Sequence, residues 1–395
     1  MDIERLSALG VVMADYIRSQ PVSITTGIPA IVCLILWLSA RDKQWPSPQP
    51  QATRLRSPAI RRSLTFRIAN IPLEVTRDKL EDILTKLPQT TETGHGQSNL
   101  LRFSYAPAAG SMSAKRFAVA TVTFAEAPNL GELEKTLKKA IGDGDNGLIV
   151  DLDFLGLTPL ADRLQDTVYF ASIIAVTGLA GHAFGSWKSK NKPDMWLRDF
   201  LPASIPNTTR DESTKHRPLI LIGHSLGGLV VKQALVQASE GSEDDLAVFN
   251  SCYAVMFFGV PNRGLDNIHL MSMVKGQPNE DLVRSLGVGS SFSKLLHENF
   301  IKRFTLDSEI WNSKTKSWER TGSEVMMVPE SSAIYAGRNE QHYDQLPVEA
   351  DHSEIVKFSD VSDSDYIIIQ SRINKWVQRA PAVIQERFAR VRTSE

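Results

Sequence analysis

Residues 218–237 read Pro-Leu-Ile-Leu-Ile-Gly-His-Ser-Leu-Gly-Gly-Leu-Val-Val-Lys-Gln-Ala-Leu-Val-Gln. The apolar run at 219–222 has the length of a strand, and apolar residues recur at helical spacing after the glycines. A Gly-x-Ser-x-Gly motif between a strand and a helix predicts a nucleophile elbow with Ser225 at its apex. Gly223 and Gly227 are expected because a side chain there would crowd a strained backbone.

An oxyanion hole is the second feature that this turn predicts. The helix after Ser225 directs its N-terminal amides at a developing negative charge, so the Leu226 N–H is the first expected donor. A buried strand near 168–176 runs into Thr-Gly-Leu-Ala-Gly-His at 177–182. A glycine-rich turn at this place favours the Leu179 N–H as the second donor, although an ordinary strand-to-helix loop would look similar.

Composition excludes several classes of protein. The 395 residues carry a net charge of −1, so there is no basic field that would attract nucleic acid. The two cysteines, Cys33 and Cys252, do not make a disulfide framework and fit a reducing compartment. No zinc-type spacing and no internal repeat is present. The sequence implies neither a metal nor an organic cofactor.

The N-terminal region predicts a membrane anchor. Residues 22–40 form an apolar stretch without a charge, long enough for a transmembrane helix, and Arg41 and Lys43 follow it. The excess of basic residues after it places the soluble part in the cytosol. A cleaved signal peptide and a buried helix are the alternatives. Residues 1–21 are then an N-terminal segment and residues 41–62 a linker.

Residues 63–153 predict a small ferredoxin-like module. Strand and helix patterns alternate in the order β-α-β-β-α-β, which also occurs in RNA-recognition motifs. The positions of the base-stacking aromatics hold Arg67, Val119 and Thr121 instead. Without aromatic platforms the sheet cannot stack bases in the usual way, so we expect no nucleic acid. The module is interpreted as a spacer or as the site of a protein partner.

Residues 154–395 form the predicted hydrolase-like domain. A strand at 253–258 leads into Gly-Val-Pro-Asn-Arg-Gly at 259–264, and Ala-Asp-His-Ser stands at 350–353. Further strand and helix patterns lie at 324–328 and 366–388, the latter with a break expected at Pro381. Among the histidines that follow Ser225, His352 is favoured as the catalytic base and His342 is the alternative.

Five motifs in this half resemble one family. The segments 223–232, 257–264 and 350–353 look like those of the lipase-like serine-active-site-containing proteins, which are serine esterases of the α/β-hydrolase fold. The segments 177–187 and 195–202 are similar to the fungal branch. The resemblance covers about residues 150–385. It implies an esterase or lipase, His352 as the base, and an association with endoplasmic reticulum or mitochondrial membranes.

The chain departs from the family pattern in two places. Residues 203–217 are too few for the strand and helix that relatives have there. The acid of the triad is expected near 304–313, where Glu309 is the candidate and Asp307 the alternative. Both could equally be solvated loop carboxylates.

The expected fold is therefore α/β: an α/β-hydrolase fold with a mostly parallel sheet, lacking one or two usual strands, behind a transmembrane helix and the ferredoxin-like module. The predicted function is a membrane-anchored serine hydrolase that cleaves a carboxylic ester, with lipid esters favoured. The alternative is a catalytically degenerate scaffold or signalling protein at a membrane.

Overall fold

The computed structural model describes residues 64–87, 99–107, 117–142, 147–154, 156–161, 171–178, 181–190, 192–205, 217–267, 271, 275–276, 280–303, 348 and 350–393. The predicted N-terminal segment 1–21, transmembrane helix 22–40 and linker 41–62 lie outside these residues. The predicted domain boundary between 153 and 154 stays a prediction.

The first sheet is antiparallel and has the element order that the sequence predicts. Its elements are β1 (Leu64–Pro72), α1 (Arg77–Thr85), β2 (Leu100–Pro107), β3 (Phe117–Phe124), α2 (Leu130–Ile141) and β4 (Ile149–Asp151). The strands lie in the order β2-β3-β1-β4. Thr76 and Asn129 cap the two helices through their side-chain oxygens. The apolar residues of the sheet and helices form one buried core, which includes Phe66, Leu80, Val122 and Leu137.

The second sheet is parallel and has three strands among the described residues. Strands β5 (Ser172–Val176), β6 (Leu219–His224) and β7 (Cys252–Phe258) lie in that order. The helices around this sheet are α3 (Trp196–Asp199), α4 (Leu201–Ser204), α5 (Leu226–Ala238), α6 (Glu243–Ser251), α7 (Glu280–Ser285), α8 (Ser291–Arg303) and α9 (Ser364–Thr393). β6 is buried at every residue because it is the central strand.

Helix α9 corrects the break that was expected at Pro381. The helix continues from Ser364 to Thr393 with Pro381 inside it. Buried residues on both sides, Val377 and Ala380 before the proline and Ile384 after it, hold one continuous apolar face against the core. Tertiary packing thus outweighs the lost hydrogen bond of the proline.

The predicted fold class is wrong. The described residues comprise a four-stranded antiparallel sheet and a three-stranded parallel sheet, not the mostly parallel sheet of an α/β-hydrolase behind a membrane helix. The prediction transferred the fold of a family from the resemblance of five short motifs, whereas such motifs specify only their local geometry.

The predicted localisation is also corrected. Within the described ranges, no helix has both the length and the apolar composition needed to cross a bilayer. This finding goes against the predicted single-pass membrane protein.

Candidate functional site

Ser225 lies in a sharp turn between β6 and α5. Its backbone has φ 53° and ψ −131°, in the left-handed half of the map that residues other than glycine rarely adopt. The Ser225 N–H donates to the carbonyl of Phe258 at the end of β7, at 2.9 Å. Such a conformation costs of order 1–3 kcal/mol and persists only where the surroundings enforce it. Here two neighbouring strands and a helix do so.

Two glycines allow the helix to approach the strands closely. A Cβ on Gly227 would lie 2.4 Å from the carbonyl oxygens of Val176 and Thr177 at the end of β5. A Cβ on Gly223 would lie 2.6 Å from the Cα of Gly228. Both positions therefore exclude any side chain, as the sequence motif predicts.

The structure brings His352 against Ser225. The hydroxyl Oγ of Ser225 lies 2.9 Å from Nε2 of His352, within hydrogen-bond distance. The turn that carries His352 is shaped by Asp351, whose carboxylate accepts the N–H groups of Ser353 and Glu354 at 2.8 and 2.9 Å. The role of Ser225 as nucleophile and of His352 as base remains a prediction, with the two side chains now in contact.

His224, next to the serine, fixes the backbone of the second histidine. Its Nε2 donates to the carbonyl of His352 at 2.8 Å, and the two rings lie 5.1 Å apart. The His224 side chain is buried, and its Nδ1 has no hydrogen-bond partner among the described residues. This contact joins the elbow directly to the His352 turn.

Burial keeps both imidazoles neutral. It lowers the pKa of His352 below its ordinary value, and the neighbouring Asp351 carboxylate opposes this shift only in part. Burial also lowers the pKa of His224 to about 4. At neutral pH the imidazole of His352 is therefore uncharged, and in the tautomer that has its proton on Nδ1 the Nε2 can accept the serine proton.

The structure describes one of the two predicted oxyanion donors, Leu226. Leu226 begins α5, and no acceptor among the described residues binds its N–H, as is normal in the first turn of a helix. Leu179 lies outside the described residues. Its neighbour Gly178 lies against the nucleophile: a Cβ there would be 2.7 Å from Cβ and 3.3 Å from Oγ of Ser225.

A third member of a triad is not found in the part of the chain that the structure describes. No carboxylate there lies within hydrogen-bond distance of Nδ1 of His352. Glu309 and Asp307 lie outside the described residues, as does His342. Asp351 is exposed, and its carboxylate already accepts two N–H groups of its own turn.

The sequence analysis did not predict a buried polar cluster that lies behind the elbow. Lys232 on α5 donates from Nζ to Oδ1 of Asn262 at 2.5 Å and to Nδ1 of His297 at 2.7 Å. The ammonium also lies 5.0 Å from the ring centre of Phe257. The signal was present, since Lys232 is the single charged residue in a mostly apolar helix. The cluster joins the elbow helix to the loop after β7 and to α8.

Comparison with known proteins gives one partial similarity. Protein SERAC1 of Mus musculus is 30% identical over 181 residues, which cover 44% of this chain and 26% of the mouse protein. The match thus spans about a quarter of the length of that relative. No protein-family profile matches the chain, and no solved structure does. Together with the Ser225–His352 contact, this similarity is consistent with a hydrolase-like protein.

Proposed function

We propose that the chain is a serine hydrolase that cleaves carboxylic esters, with Ser225 as the nucleophile and His352 as the general base. The observation that carries this proposal is the 2.9 Å contact between the Ser225 hydroxyl and a half-buried, neutral imidazole. The left-handed backbone of Ser225 supports it, because strained residues cluster at functional sites.

The reaction proceeds in two halves. Ser225 Oγ attacks the ester carbonyl while Nε2 of His352 takes the hydroxyl proton, and the tetrahedral adduct collapses as this proton passes to the leaving alkoxide. Water then attacks the acyl-serine and gives a proton to His352. The carboxylic acid leaves, and the proton returns to Ser225. The Leu226 N–H at the start of α5 would stabilise the oxyanion in both halves.

Lipid esters are the favoured substrates. We infer this from the resemblance of the chain to the lipase-like serine-active-site-containing proteins, and we propose that the chain is related to them. No described contact selects an acyl chain.

Hydrolysis of a series of p-nitrophenyl esters, from acetate to palmitate, tests the proposal. We expect the full chain to release p-nitrophenol and Ser225→Ala to fall to the background rate. Ser362→Ala is the matched control, because Ser362 is an exposed serine whose one hydrogen-bond partner among the described residues is Asp360. Equal rates for the chain and Ser225→Ala would contradict an esterase. A preference for acetate over long chains would contradict the lipid assignment alone.

A non-catalytic scaffold is the second candidate. It is favoured by the lack of a carboxylate on Nδ1 of His352 among the described residues. Loss of the acid leaves the tautomer of the histidine unsupported and costs about 10⁴ in rate in serine proteases. A protein partner of the ferredoxin-like module belongs to this candidate. A folded chain that hydrolyses no ester in the series would favour the scaffold.

A further inference from the structure

The outer face of the first sheet is an internal contact surface. Arg198 on α3 is buried, and its guanidinium donates to Oγ1 of Thr121 and Thr123 on β3, at 3.3 and 3.0 Å. The same guanidinium pairs with Asp199 at 2.8 Å and covers the ring of Phe184 at 4.8 Å. The face on which an RNA-recognition motif would stack bases is thus covered here by the second half of the chain.

His182 makes a second contact between the two halves. Its Nε2 lies 2.6 Å from the carbonyl oxygen of Leu152, directly after β4, and its ring lies 5.0 Å from that of Phe154. Its Nδ1 accepts the N–H groups of Phe184 and Gly185 at 3.0 and 2.8 Å. Two donors at Nδ1 require that Nε2 carries the proton, so Nε2 donates to Leu152.

The turn that contains His182 reaches the nucleophile. The Gly181 N–H donates to the Gly178 carbonyl at 3.0 Å. Gly178 in turn lies so close to Ser225 that a Cβ there would be 2.7 Å from the serine Cβ. A continuous set of contacts therefore runs from Leu152 through His182 and the turn to Ser225.

We propose that His182 is a positioning residue that ties this turn to the first module, so that the module acts as a brace for the active site. The inference rests on the proposed function. A brace of this kind gives the ferredoxin-like module a role inside the molecule. Small displacements near reacting atoms are costly: about 1 Å can reduce a rate roughly 100-fold.

Two substitutions of His182 distinguish its hydrogen bond to Leu152 from the hydrogen bonds that it accepts within its own turn. In His182→Asn the amide oxygen can still accept the N–H groups of Phe184 and Gly185, while the donor to Leu152 is lost. In His182→Gln the amide nitrogen can still donate to Leu152, while the acceptor for those two groups is lost. We expect labelling of Ser225 by a fluorophosphonate probe to slow about tenfold in the first and to stay within about twofold of wild type in the second.

Hydrogen exchange supplies a readout that needs no activity. We expect exchange at the Gly181 amide to be about fivefold faster in His182→Asn than in the wild-type chain, which is the effect of losing one hydrogen bond, and nearly unchanged in His182→Gln. Phe154→Leu, which removes the ring contacts of Phe154 with His182 and Phe184 and so loosens the packing of His182 beside Leu152, should give a smaller change in the same direction. It also tests the tie if the asparagine variant does not fold.

The outcomes are distinct. Equal slowing in both His182 variants, slowing in the glutamine variant alone, or wild-type labelling and exchange in both would overturn the inference. A wild-type chain that takes up no probe would contradict the proposed function instead. The exchange rates at Gly181 would then still decide whether His182 ties the turn to the module.

Discussion

Acid should destabilise the folded chain through the buried His224. Its pKa is lowered from 6.5 to about 4 because the imidazole is buried beside the elbow. Between these values the unfolded chain binds a proton at His224 and the folded chain does not, so the free energy of unfolding falls as the pH falls. The two pKa values differ by about 2.5, and each pKa unit corresponds to about 1.36 kcal/mol, so the free energy of unfolding changes by about 3 kcal/mol. This stabilisation is complete above pH 6.5 and is lost by about pH 4.

Urea unfolding of the wild-type chain and His224→Gln at pH 7 and pH 4 measures this effect. Glutamine does not titrate, yet its amide nitrogen can still donate to the carbonyl of His352. His297, whose pKa is lowered to about 3 by burial, contributes to both proteins and cancels in the comparison. We expect the wild type to lose about 3 kcal/mol more than the variant. Equal losses would refute the idea that His224 is buried and neutral.

Three further predictions concern the site. The rate at which a fluorophosphonate labels Ser225 should increase with pH through a midpoint below pH 6.5, because burial lowers the pKa of His352 and only its neutral imidazole is a base. A midpoint above pH 6.5 would contradict the lowered pKa. Gly178→Ala should slow labelling at least tenfold because its Cβ would press on the serine, whereas Gly131→Ala, with room for a Cβ on α2, should not. Lys232→Met should lower the urea-unfolding free energy by about 1–3 kcal/mol because it removes the hydrogen bonds of the ammonium to the buried Asn262 and His297; unchanged stability would show that these bonds contribute nothing.

The elbow could be predicted because all its determinants are contiguous. The strand, the glycines, Ser225 and the helix lie within 218–237, and local sterics decide their geometry. The β-α-β-β-α-β order of the first sheet was readable for a similar reason, since each element carries its own hydrophobic period.

The long-range contacts could not be predicted. The hydrogen bond from His224 to the His352 carbonyl joins residues 128 positions apart, and that from Arg198 to Thr121 joins residues 77 apart. No periodicity specifies such pairs. The division of the described strands into one antiparallel and one parallel sheet was missed for the same reason, because strand pairing depends on distant parts of the chain. The sequence shows Lys232 only as the single charge in a mostly apolar helix, which does not specify its partners Asn262 and His297.

The most direct test of the central claim is to locate the adduct of a fluorophosphonate on the full chain by mass spectrometry. We predict one modified residue, Ser225, with labelling lost in Ser225→Ala and strongly slowed in His352→Asn, which removes Nε2 from the 2.9 Å contact. A folded chain that takes up no probe, or one that is labelled equally fast without His352, would contradict the claim that these two side chains form an activated nucleophile.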